Sequence, residues 1–419
     1  MKQRGLYRGR VATFALLILT ATLCPPAANG QEWSRFRGPN GTGISDAPCP
    51  YVNWSEDDYA WRVKIPPGHS SPVLWGDRIF ITGADDDDAT RLVLCIDAKT
   101  GKTLWQKEHS SESYQHHKFN SFASETPAID ARHVYCIFLT PAQLLVLAMD
   151  HDGDEIWRRD LGPFDSQHGG GMSPMVVGDK VIVSNVQQQD GFIIALDAET
   201  GETKWKLPRK PMAQSAAYAT PCLRRTANGE MELIALSTAH GFTGIDPDTG
   251  EVNWELPGVF EKRVVGSPVL AGELIIGTNG SGGGGNYVVA VRPGDGADVE
   301  PSVAYEIRKN AAYVPTLLAK DELLFMISDK GFASCIDAKT GDIIWQERLG
   351  EEFFASPIWA EEKLYCVSRD GTMFVLNAGR EFKVLSRIDL GEPSNATPAF
   401  PDGVMYIRTH THLMRLGGK

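Results

Sequence analysis

The sequence contains nearly the same twelve residues twice. Residues 95–106 read CIDAKTGKTLWQ, and residues 335–346 read CIDAKTGDIIWQ. Residues 196–207 (LDAETGETKWKL) and 245–256 (IDPDTGEVNWEL) follow the same pattern, and residues 149–157 (MDHDGDEIW) give a shorter version. Such self-similarity is typical of repeat architectures, in which each copy is one supersecondary unit. It restricts the chain to an array of small, similar units.

A second marker fixes the length of the repeat. A proline stands just before a short apolar run in every copy, and in most copies a serine or threonine precedes it. These prolines are Pro72, Pro127, Pro174, Pro221, Pro268, Pro315, Pro357 and Pro398. The intervals between them are 55, 47, 47, 47, 47, 42 and 41 residues. The chain therefore contains eight units of similar size.

Each unit has the pattern of four short antiparallel strands. In the first unit, apolar runs at 73–74, 78–82, 91–96 and 103–106 are separated by turns rich in Gly and Asp. In the Asp-Ala-x-Thr-Gly turn, Asp accepts backbone N–H groups and Gly supplies a positive φ. A flat aromatic residue then follows on the fourth strand of most units and is expected to pack between neighbours. The residues at this position are Trp105, Trp157, Trp205, Trp254, Tyr305, Trp345 and Leu385.

Eight four-stranded units predict an all-β fold, an eight-bladed β-propeller. The last unit begins at Pro398 and has sequence for three strands only. Residues 59–65 (YAWRVKI) place Trp61 in the fourth-strand position, so this N-terminal strand is predicted to complete blade 8 and close the ring. Closure hides the sheet edges and makes residues 59–419 a single domain. Residues 31–58 form an N-terminal extension, which is expected to wrap a surface of the ring.

The amino terminus has the pattern of a secretory signal peptide, assigned to residues 1–30. Four basic residues precede an apolar run from Val11 to Cys24, and a segment of small residues follows. We expect cleavage near Ala28 or Gly30 and export to the periplasm or the medium. Lipid attachment at Cys24 is not expected, because Leu23 stands where a lipoprotein signal has a small residue. No later run is apolar enough to predict a transmembrane segment.

The mature chain is predicted to be acidic and free of disulfides. Removal of residues 1–30 changes the formal net charge from −12 to −16, which argues against a nucleic-acid partner. Six cysteines remain after that removal. Cys95 and Cys335 share one repeat position, and Cys136 and Cys366 share another, so the members of each pair should lie far apart. We expect these cysteines to be small buried hydrophobes.

The repeated [LIC]-[DN]-A-x-T-G-x-x-x-W unit resembles the pyrroloquinoline-quinone (PQQ) repeat. The resemblance covers residues 59–419 and implies an eight-bladed propeller of one of two kinds. One kind is the quinoprotein alcohol and sugar dehydrogenases, and the other is the non-catalytic propeller of the outer-membrane β-barrel assembly machinery. The sequence departs from the first in lacking an adjacent Cys-Cys pair and from the second in its poor lipid signal. The repeat specifies the fold rather than the function, because its Asp, Gly and Trp are turn and packing residues.

Propeller topology gathers the loops between blades, and those between second and third strands, at one channel-mouth face. The residues predicted to bind a ligand or partner at this face are His69, His116, His117, Glu125, His168, Gln214, Arg263, Tyr313, Phe354 and Asn395. Because imidazole is a common metal ligand, a metal site is an alternative to solvated loop histidines. Its candidate ligands are His116, His117, His168 and His410. No catalytic set is legible from residue order.

These observations favour an exported, non-catalytic propeller that binds protein or peptide partners in the cell envelope through its channel-mouth face. The alternative is a PQQ-dependent alcohol or sugar dehydrogenase, as the family resemblance implies. In that case PQQ and Ca²⁺ would lie across the channel mouth, and Glu125 and Arg263 are the best-placed charged groups for cofactor contact. A third hypothesis is a metal- or carbohydrate-binding propeller. The repeats are short and carry few long inserted loops, and no catalytic set is legible. Both observations favour the first hypothesis.

Overall fold

The computed structural model describes Met1 and residues 32–211, 216–295 and 299–418. The predicted signal peptide lies outside the described residues, except for Met1. The described chain contains 32 β-strands and two short 3₁₀ turns, η1 (Pro39–Gly41) and η2 (Glu56–Asp58). Within these ranges, no helix has the length and apolar character needed to cross a membrane.

The strands form eight sheets, one for each predicted blade. Two strands precede the first repeat: β1 (Ile44–Ser45) and β2 (Tyr59–Lys64). Blades 1 and 2 consist of β3 (Val73–Trp75), β4 (Arg78–Ala84), β5 (Arg91–Asp97), β6 (Thr103–His109), β7 (Ala128–Ile129), β8 (His133–Thr140), β9 (Gln143–Asp150) and β10 (Glu155–Asp160). Blades 3 and 4 consist of β11 (Met175–Val177), β12 (Lys180–Asn185), β13 (Gly191–Asp197), β14 (Thr203–Arg209), β15 (Cys222–Arg225), β16 (Met231–Ser237), β17 (Gly241–Ile245) and β18 (Val252–Leu256).

The second half of the ring repeats this plan. Blades 5 and 6 consist of β19 (Val269–Ala271), β20 (Leu274–Asn279), β21 (Tyr287–Arg292), β22 (Ser302–Ile307), β23 (Leu318–Lys320), β24 (Leu323–Ile327), β25 (Phe332–Asp337) and β26 (Ile343–Arg348). Blades 7 and 8 contain β27 (Ile358–Ala360), β28 (Lys363–Val367), β29 (Thr372–Asn377), β30 (Val384–Asp389), β31 (Met405–Arg408) and β32 (His412–Leu416). The first strands of neighbouring blades approach one another, so they line the axial channel. The predicted eight-bladed propeller is confirmed.

The ring is closed by the amino-terminal strand, as the sequence predicts. Strand β2 pairs antiparallel with β32, with Tyr59 opposite Leu416 and Lys64 opposite His412. It occupies the fourth-strand position of blade 8, and the order in that sheet is β2-β32-β31. The chain therefore joins its two ends in one blade.

The innermost strand of blade 8 is shorter than the sequence predicts. It is reduced to a single antiparallel bridge between Ala399 and Tyr406. The reason is local, because Pro398 and Pro401 flank this position and have no backbone N–H to donate to a longer ladder. Blade 8 thus keeps four strand positions with only one residue pair in the first.

The aromatic residue of each fourth strand packs against the turn of the next blade. At five junctions the indole N–H donates to a main-chain carbonyl of that turn. These bonds run from Trp61 to Ala98 (3.2 Å), Trp105 to His151 (2.9 Å), Trp157 to Ala198 (2.9 Å), Trp205 to Pro247 (3.0 Å) and Trp345 to Gly379 (2.9 Å). Tyr305 makes the equivalent bond through its hydroxyl to the carbonyl of Ala338, at 2.7 Å. The predicted contact between blades thus combines apolar packing with a directed hydrogen bond.

The turn residues make this contact geometrically feasible. In the turn of blade 3, the Asp197 carboxylate accepts the backbone N–H groups of Glu199 and Thr200, each at 2.9 Å. Gly201 follows with a φ of 71°, and a Cβ at that position would lie 2.7 Å from the ring of Trp157. Glycine therefore serves two needs here, the left-handed backbone and the close approach of the indole.

A ring of hydroxyl groups links the innermost ends of the blades. We call it the hydroxyl ring, and its members are Ser71, Thr126, Ser173, Thr220, Ser267, Thr316, Ser356 and Thr397. The backbone N–H of one member donates to the side-chain oxygen of the member in the next blade. For example, Ser71 donates to Thr126 at 2.9 Å and Thr397 donates to Ser71 at 3.1 Å. Among the described residues, seven of the eight successive links of this kind are formed.

The hydroxyl ring also corrects one detail of the repeat alignment. In blade 6 the ring member is Thr316, which follows Pro315 rather than preceding a proline. Thr316 accepts the N–H of Ser267 and donates its own N–H to Ser356, both at 3.0 Å. The hydroxyl, and not the proline, thus occupies the equivalent position in all eight blades.

The sequence led us to expect that the N-terminal extension wraps a surface of the ring, and in the structure part of it packs against the innermost strands. Residues 33–45, which we call the axial plug, contact the innermost strands of several blades. The carbonyls of Trp33 and Ser34 accept the N–H groups of Leu74 in blade 1 and Ile129 in blade 2. Strand β1 adds in parallel to β27 of blade 7. The plug crosses the axial channel because eight blades leave a gap that its Trp, Phe and Arg side chains fill.

All six cysteines of the described residues are free and buried. They include Cys49 in the extension, whose thiol lies 2.6 Å from the hydroxyl of Tyr365. Burial raises the pKa of the Cys136 and Cys366 thiols, so both remain protonated. The expectation of small buried hydrophobes is confirmed.

The docking of tryptophan on the turn predicts a difference between two glycine substitutions. Gly201→Ala and Gly178→Ala both place an alanine at positive φ, 71° and 60°, which costs about 1–2 kcal/mol in each case. Only the Cβ at position 201 meets an indole, because nothing lies within 4 Å of a Cβ at position 178. We expect Gly201→Ala to lose roughly 1–3 kcal/mol more through overpacking. Urea unfolding of both variants measures this, and equal losses would contradict the interpretation.

The hydroxyl ring predicts that position 316 needs an oxygen and not merely a β-branched side chain. Thr316→Val keeps the shape but leaves the buried N–H of Ser267 without its acceptor, which costs about 1–3 kcal/mol. Thr316→Ser keeps the oxygen and should recover most of that loss. The free energy of unfolding of the two variants is the measurement. A serine variant as unstable as the valine variant would contradict a requirement for the hydroxyl oxygen.

Candidate functional site

A cavity of about 430 Å³ lies in the middle of the channel-mouth face. The hydroxyl ring forms its floor together with Phe36, which belongs to the axial plug. Its walls come from loops between blades and from the loops between second and third strands of blades 5 and 6. The plug closes the channel beneath the cavity, so the cavity is a blind pocket and not a passage.

Aromatic side chains form one part of the cavity wall. The rings of His117 and His168 stack with their centroids 5.0 Å apart. Phe119 and Phe354 meet edge to face at 5.7 Å. The guanidinium of Arg369 lies 3.8 Å from the centre of the Phe119 ring and 4.7 Å from that of Phe354, and it also pairs with Glu352. These contacts hold the rings in place at the rim.

The histidines of the cavity are neutral near pH 7. Burial is the main cause and neighbouring cations (Arg408 and Arg263, respectively) contribute, and together they lower the pKa of His69 to about 3 and that of His168 to about 4. Burial also lowers the pKa of His117. Their rings therefore act as uncharged polar surfaces. His69 in turn lies beside Asn395, whose amide nitrogen is 3.3 Å from the His69 Nε2.

A buried polar network supports another part of the wall. Arg263 donates to the Tyr313 hydroxyl and to the Gln167 side-chain oxygen, each at 3.2 Å. The backbone N–H groups of Tyr313 and Val314 donate to the Asp329 carboxylate at 2.7 and 3.0 Å. Burial raises the pKa of Asp329 to about 6 in spite of these bonds. Asp329 therefore fixes the loop that carries Tyr313.

Glu125 lies behind the wall and not on it. Its side chain is 4 % exposed, and burial raises its pKa to about 7, with the nearby Arg91 acting in the opposite direction. A Cβ at Gly170 would lie 1.8 Å from the Glu125 Oε1, so the carboxyl packs directly under the Gly169–Gly171 backbone. This position rules out direct contact with a ligand in the cavity as the structure stands.

The structure brings six of the ten predicted residues to the cavity: His69, His117, His168, Tyr313, Phe354 and Asn395. Arg263 supports the wall from behind, and His116 turns away to pack on Phe122 at 4.6 Å. Gln214 lies outside the described residues. The residue types that sequence reasoning missed are the hydroxyl ring, Phe36 and Phe119. The recurring Ser or Thr beside the repeat proline was a signal for the first of these.

The four histidines of the metal hypothesis fall into separate environments. His117 and His168 stack on each other, whereas His116 contacts Phe122. His410 instead lies beside His69, with ring centroids 6.1 Å apart. In the described part of the chain, no group of three or more His, Cys, Asp or Glu is arranged to hold a metal ion. The geometry gives the metal hypothesis no support.

The cavity lining does not fit PQQ with Ca²⁺. PQQ is a tricarboxylate and needs cations around it, whereas Ca²⁺ needs several converging oxygen ligands. Lys330 is the single Lys or Arg of the described lining, and it is accompanied by two carboxylates, Asp329 and Glu352. The Asp329 oxygens are already engaged by backbone N–H groups. The excess of negative charge therefore disfavours this cofactor.

The repeats match a protein family whose model is described as outer membrane protein assembly factor BamB. The matches extend over residues 52–185, 90–295 and 284–410, which is most of the chain. The chain therefore belongs to this family of β-propellers. A curated relative from Burkholderia pseudomallei (strain K96243), named outer membrane protein assembly factor BamB, is 27% identical over 214 residues. That match covers 48% of this chain and 48% of the relative, so the chain spans about half the length of that relative.

Solved structures of two different kinds share the fold. BamB from Moraxella catarrhalis superimposes with a TM-score of 0.62 at 14% identity, covering 86% of this chain and 99% of that one. A quinohemoprotein alcohol dehydrogenase from Comamonas testosteroni gives a TM-score of 0.67 at 13% identity, covering 93% and 81%. At such low identities the likeness shows the fold alone. Both kinds that the repeat resemblance implies are thus represented.

The buried Glu125 predicts a specific pH dependence of stability. Its folded pKa of about 7 exceeds its usual value of 4.5, so the stability it contributes is complete below about pH 4.5 and is lost as the pH rises through 7. Glu125→Gln cannot ionise and should remove that loss. We expect the variant to gain stability relative to the wild type, on the order of a few kcal/mol, between pH 5 and pH 8.

Urea unfolding at the two pH values measures this gain. Glu306→Gln is the control, because Glu306 is an exposed carboxylate on β22 that pairs with Arg308. A Glu125→Gln variant whose stability changes in parallel with both the wild type and this control would contradict the assignment.

Proposed function

We propose that the mature chain is an exported, non-catalytic β-propeller that binds a protein or peptide partner in the cell envelope through the channel-mouth cavity. Membership of the family described as outer membrane protein assembly factor BamB supports the envelope setting. The predicted signal peptide agrees with export. The relatives' names concern assembly at the outer membrane, and this chain is proposed to serve in such an assembly.

The observation that carries the proposal is the blind, amphipathic cavity. Its aromatic rim and the Phe36 floor offer apolar surface, and its hydroxyl ring and asparagines offer hydrogen-bonding groups. Pockets that accept an anchoring side chain of a partner have this combination. A side chain inserted from a partner loop can pack on Phe36 and Phe354, while the loop backbone reaches Asn120 or Asn395.

The wall groups are held before a partner arrives. Phe119 and Phe354 are fixed by Arg369, and Tyr313 is fixed by Arg263 and Asp329. Binding to such a surface costs little side-chain entropy. The neutral histidines also avoid the desolvation penalty that charged groups would pay on contact. This rigidity suits recognition of a partner.

Site-specific photocrosslinking in cells that produce the protein tests the proposal. A benzoylphenylalanine at position 354 places the reactive group at the cavity rim. The matched control has the same group at position 104 on the outer strand β6, where Leu104 is 46 % exposed. We expect one reproducible envelope protein adduct from position 354 and none of the same mass from position 104.

A second change distinguishes the cavity from its surroundings. Phe119→Ala in the position 354 protein removes the ring that Phe354 contacts and should reduce the adduct by about tenfold, which corresponds to about 1.4 kcal/mol. Identical adducts from both positions, or an adduct that Phe119→Ala leaves unchanged, would count against binding at the cavity.

The dehydrogenase alternative rests on the shared fold with the quinohemoprotein alcohol dehydrogenase. It is opposed by the charge of the lining. Calorimetric titration of residues 31–419 with PQQ, with and without Ca²⁺, separates the two proposals. Saturable Ca²⁺-dependent binding near 1:1 would favour the dehydrogenase, and the absence of binding by a folded protein would remove it.

A further inference from the structure

The axial plug carries two arginines that are buried at the core of the ring. Arg35 is 6 % exposed and Arg37 is 1 % exposed. Arg35 donates to the Pro221 carbonyl at 2.7 Å and approaches the Met175 sulfur at 3.6 Å. Arg37 donates to the carbonyls of Leu317 at 2.8 Å and Thr42 at 3.3 Å. The two side chains thus reach the inner ends of different blades from one short segment.

Several donors of the plug have no acceptor among the described residues. They are the Nε of Arg35, the Nε and Nη1 of Arg37, and the indole nitrogen of Trp33. Leaving a buried donor unsatisfied costs about 1–3 kcal/mol, and more for a charged group. All four unpartnered atoms are N–H donors, so a single hydrogen-bond acceptor placed among them would lower the energy of the folded state.

The charge of the two guanidinium groups is also uncompensated. Within the described ranges, no carboxylate lies at salt-bridge distance from Arg35 or Arg37. Burial, together with the nearby positive charge of Arg35, lowers the pKa of Arg37 to about 9. The residues outside those ranges supply a single side-chain carboxylate, Asp298.

Arg408 shows how this chain buries an arginine that stands alone. It is fully buried, yet its two terminal nitrogens meet the carbonyls of Ser70, Thr82 and Pro66 at 3.0, 2.7 and 3.2 Å, as well as the Ser70 hydroxyl. The Arg408 Nε has no acceptor among the described residues, as in the plug arginines, but both terminal nitrogens do. Such a set of carbonyl dipoles offsets one cation. The plug arginines have fewer acceptors each and lie near a second cation, so the same solution does not serve them.

Three glycines fold the plug backbone tightly around these side chains. Gly38, Gly41 and Gly43 all have positive φ, between 68° and 72°. A Cβ at Gly43 would lie 2.7 Å from the Arg37 Nη2, and one at Gly41 would lie 3.6 Å from the Arg35 Nη2. The backbone therefore packs closely against the two guanidinium groups and leaves little room for a large species beside them.

We propose that the plug holds a small inorganic anion of the halide class between Arg35 and Arg37. The anion accepts the unpartnered N–H groups and compensates the paired positive charge. Because it binds the folded ring and not the unfolded chain, it stabilises the closed propeller by mass action.

Two measurements on the mature chain test this site. The first is anomalous diffraction from crystals grown in bromide, in which we expect a peak within hydrogen-bond distance of both guanidinium groups. The second is the melting temperature in chloride or bromide compared with gluconate at constant ionic strength. We expect a saturable rise of roughly 2 °C in either halide.

Variants distinguish the plug from general salt effects. Arg37→Met should abolish the halide-dependent rise, because one of the two cations is lost. Arg225→Met is the matched control, since Arg225 is exposed and donates to the carbonyl of Gly229; it should retain the rise. If Arg37→Met fails to fold, the bromide peak in the wild type still decides the question.

Three results would overturn the proposal. They are the absence of a bromide peak at the plug, a melting temperature that responds equally to halide and gluconate, and a halide response that Arg37→Met leaves intact. Stabilisation by sulfate but not by halide would also contradict it, because the glycine-lined space is closed to a larger ion.

Discussion

The hydrogen bond from the fourth strand of one blade to the turn of the next is the interaction on which the ring depends. It joins a large apolar surface to a single carbonyl, so it fixes both the distance and the rotation between blades. Trp157 and the Ala198 carbonyl, at 2.9 Å, show it in its common form. The junction after blade 4 differs, because the indole N–H of Trp254 donates to the Glu232 carboxylate of its own blade at 3.0 Å and not to the next turn.

The hydroxyl ring and the position of the axial plug depend on this regular spacing of the blades. With the blades set at a constant angle, the backbone of each Ser or Thr beside the channel falls within reach of the next hydroxyl, which produces the hydroxyl ring. The ring is then wide enough at its centre to accept the plug, and the plug supplies Phe36 to the cavity floor. The inner hydroxyls and the N-terminal segment therefore form the cavity floor together, and the outer tryptophans act on it only through the spacing of the blades.

Much of this fold could be predicted because its signals are local. The Asp-Ala-x-Thr-Gly turn and the tryptophan that follows it lie within ten residues, so the blade count and the strand that closes blade 8 could be predicted from their order. The face that carries His69, His117, His168 and Asn395 followed from topology alone. The destination of residues 33–45 could not be predicted, because the Arg37 partner at Leu317 lies 280 residues away. Glu125 was misjudged for a similar reason, since Gly170 of another blade covers it.

The pairing of β2 with β32 has a consequence for how the protein reaches its native state. Tyr59 pairs with Leu416, and the strands of the other seven blades lie between these two residues in the sequence. The ring therefore cannot close until those blades and both partner strands are available. Contacts of such long sequence separation also slow folding. Closure of blade 8 is thus expected to be a late step of folding, one that completes the ring rather than directs its assembly.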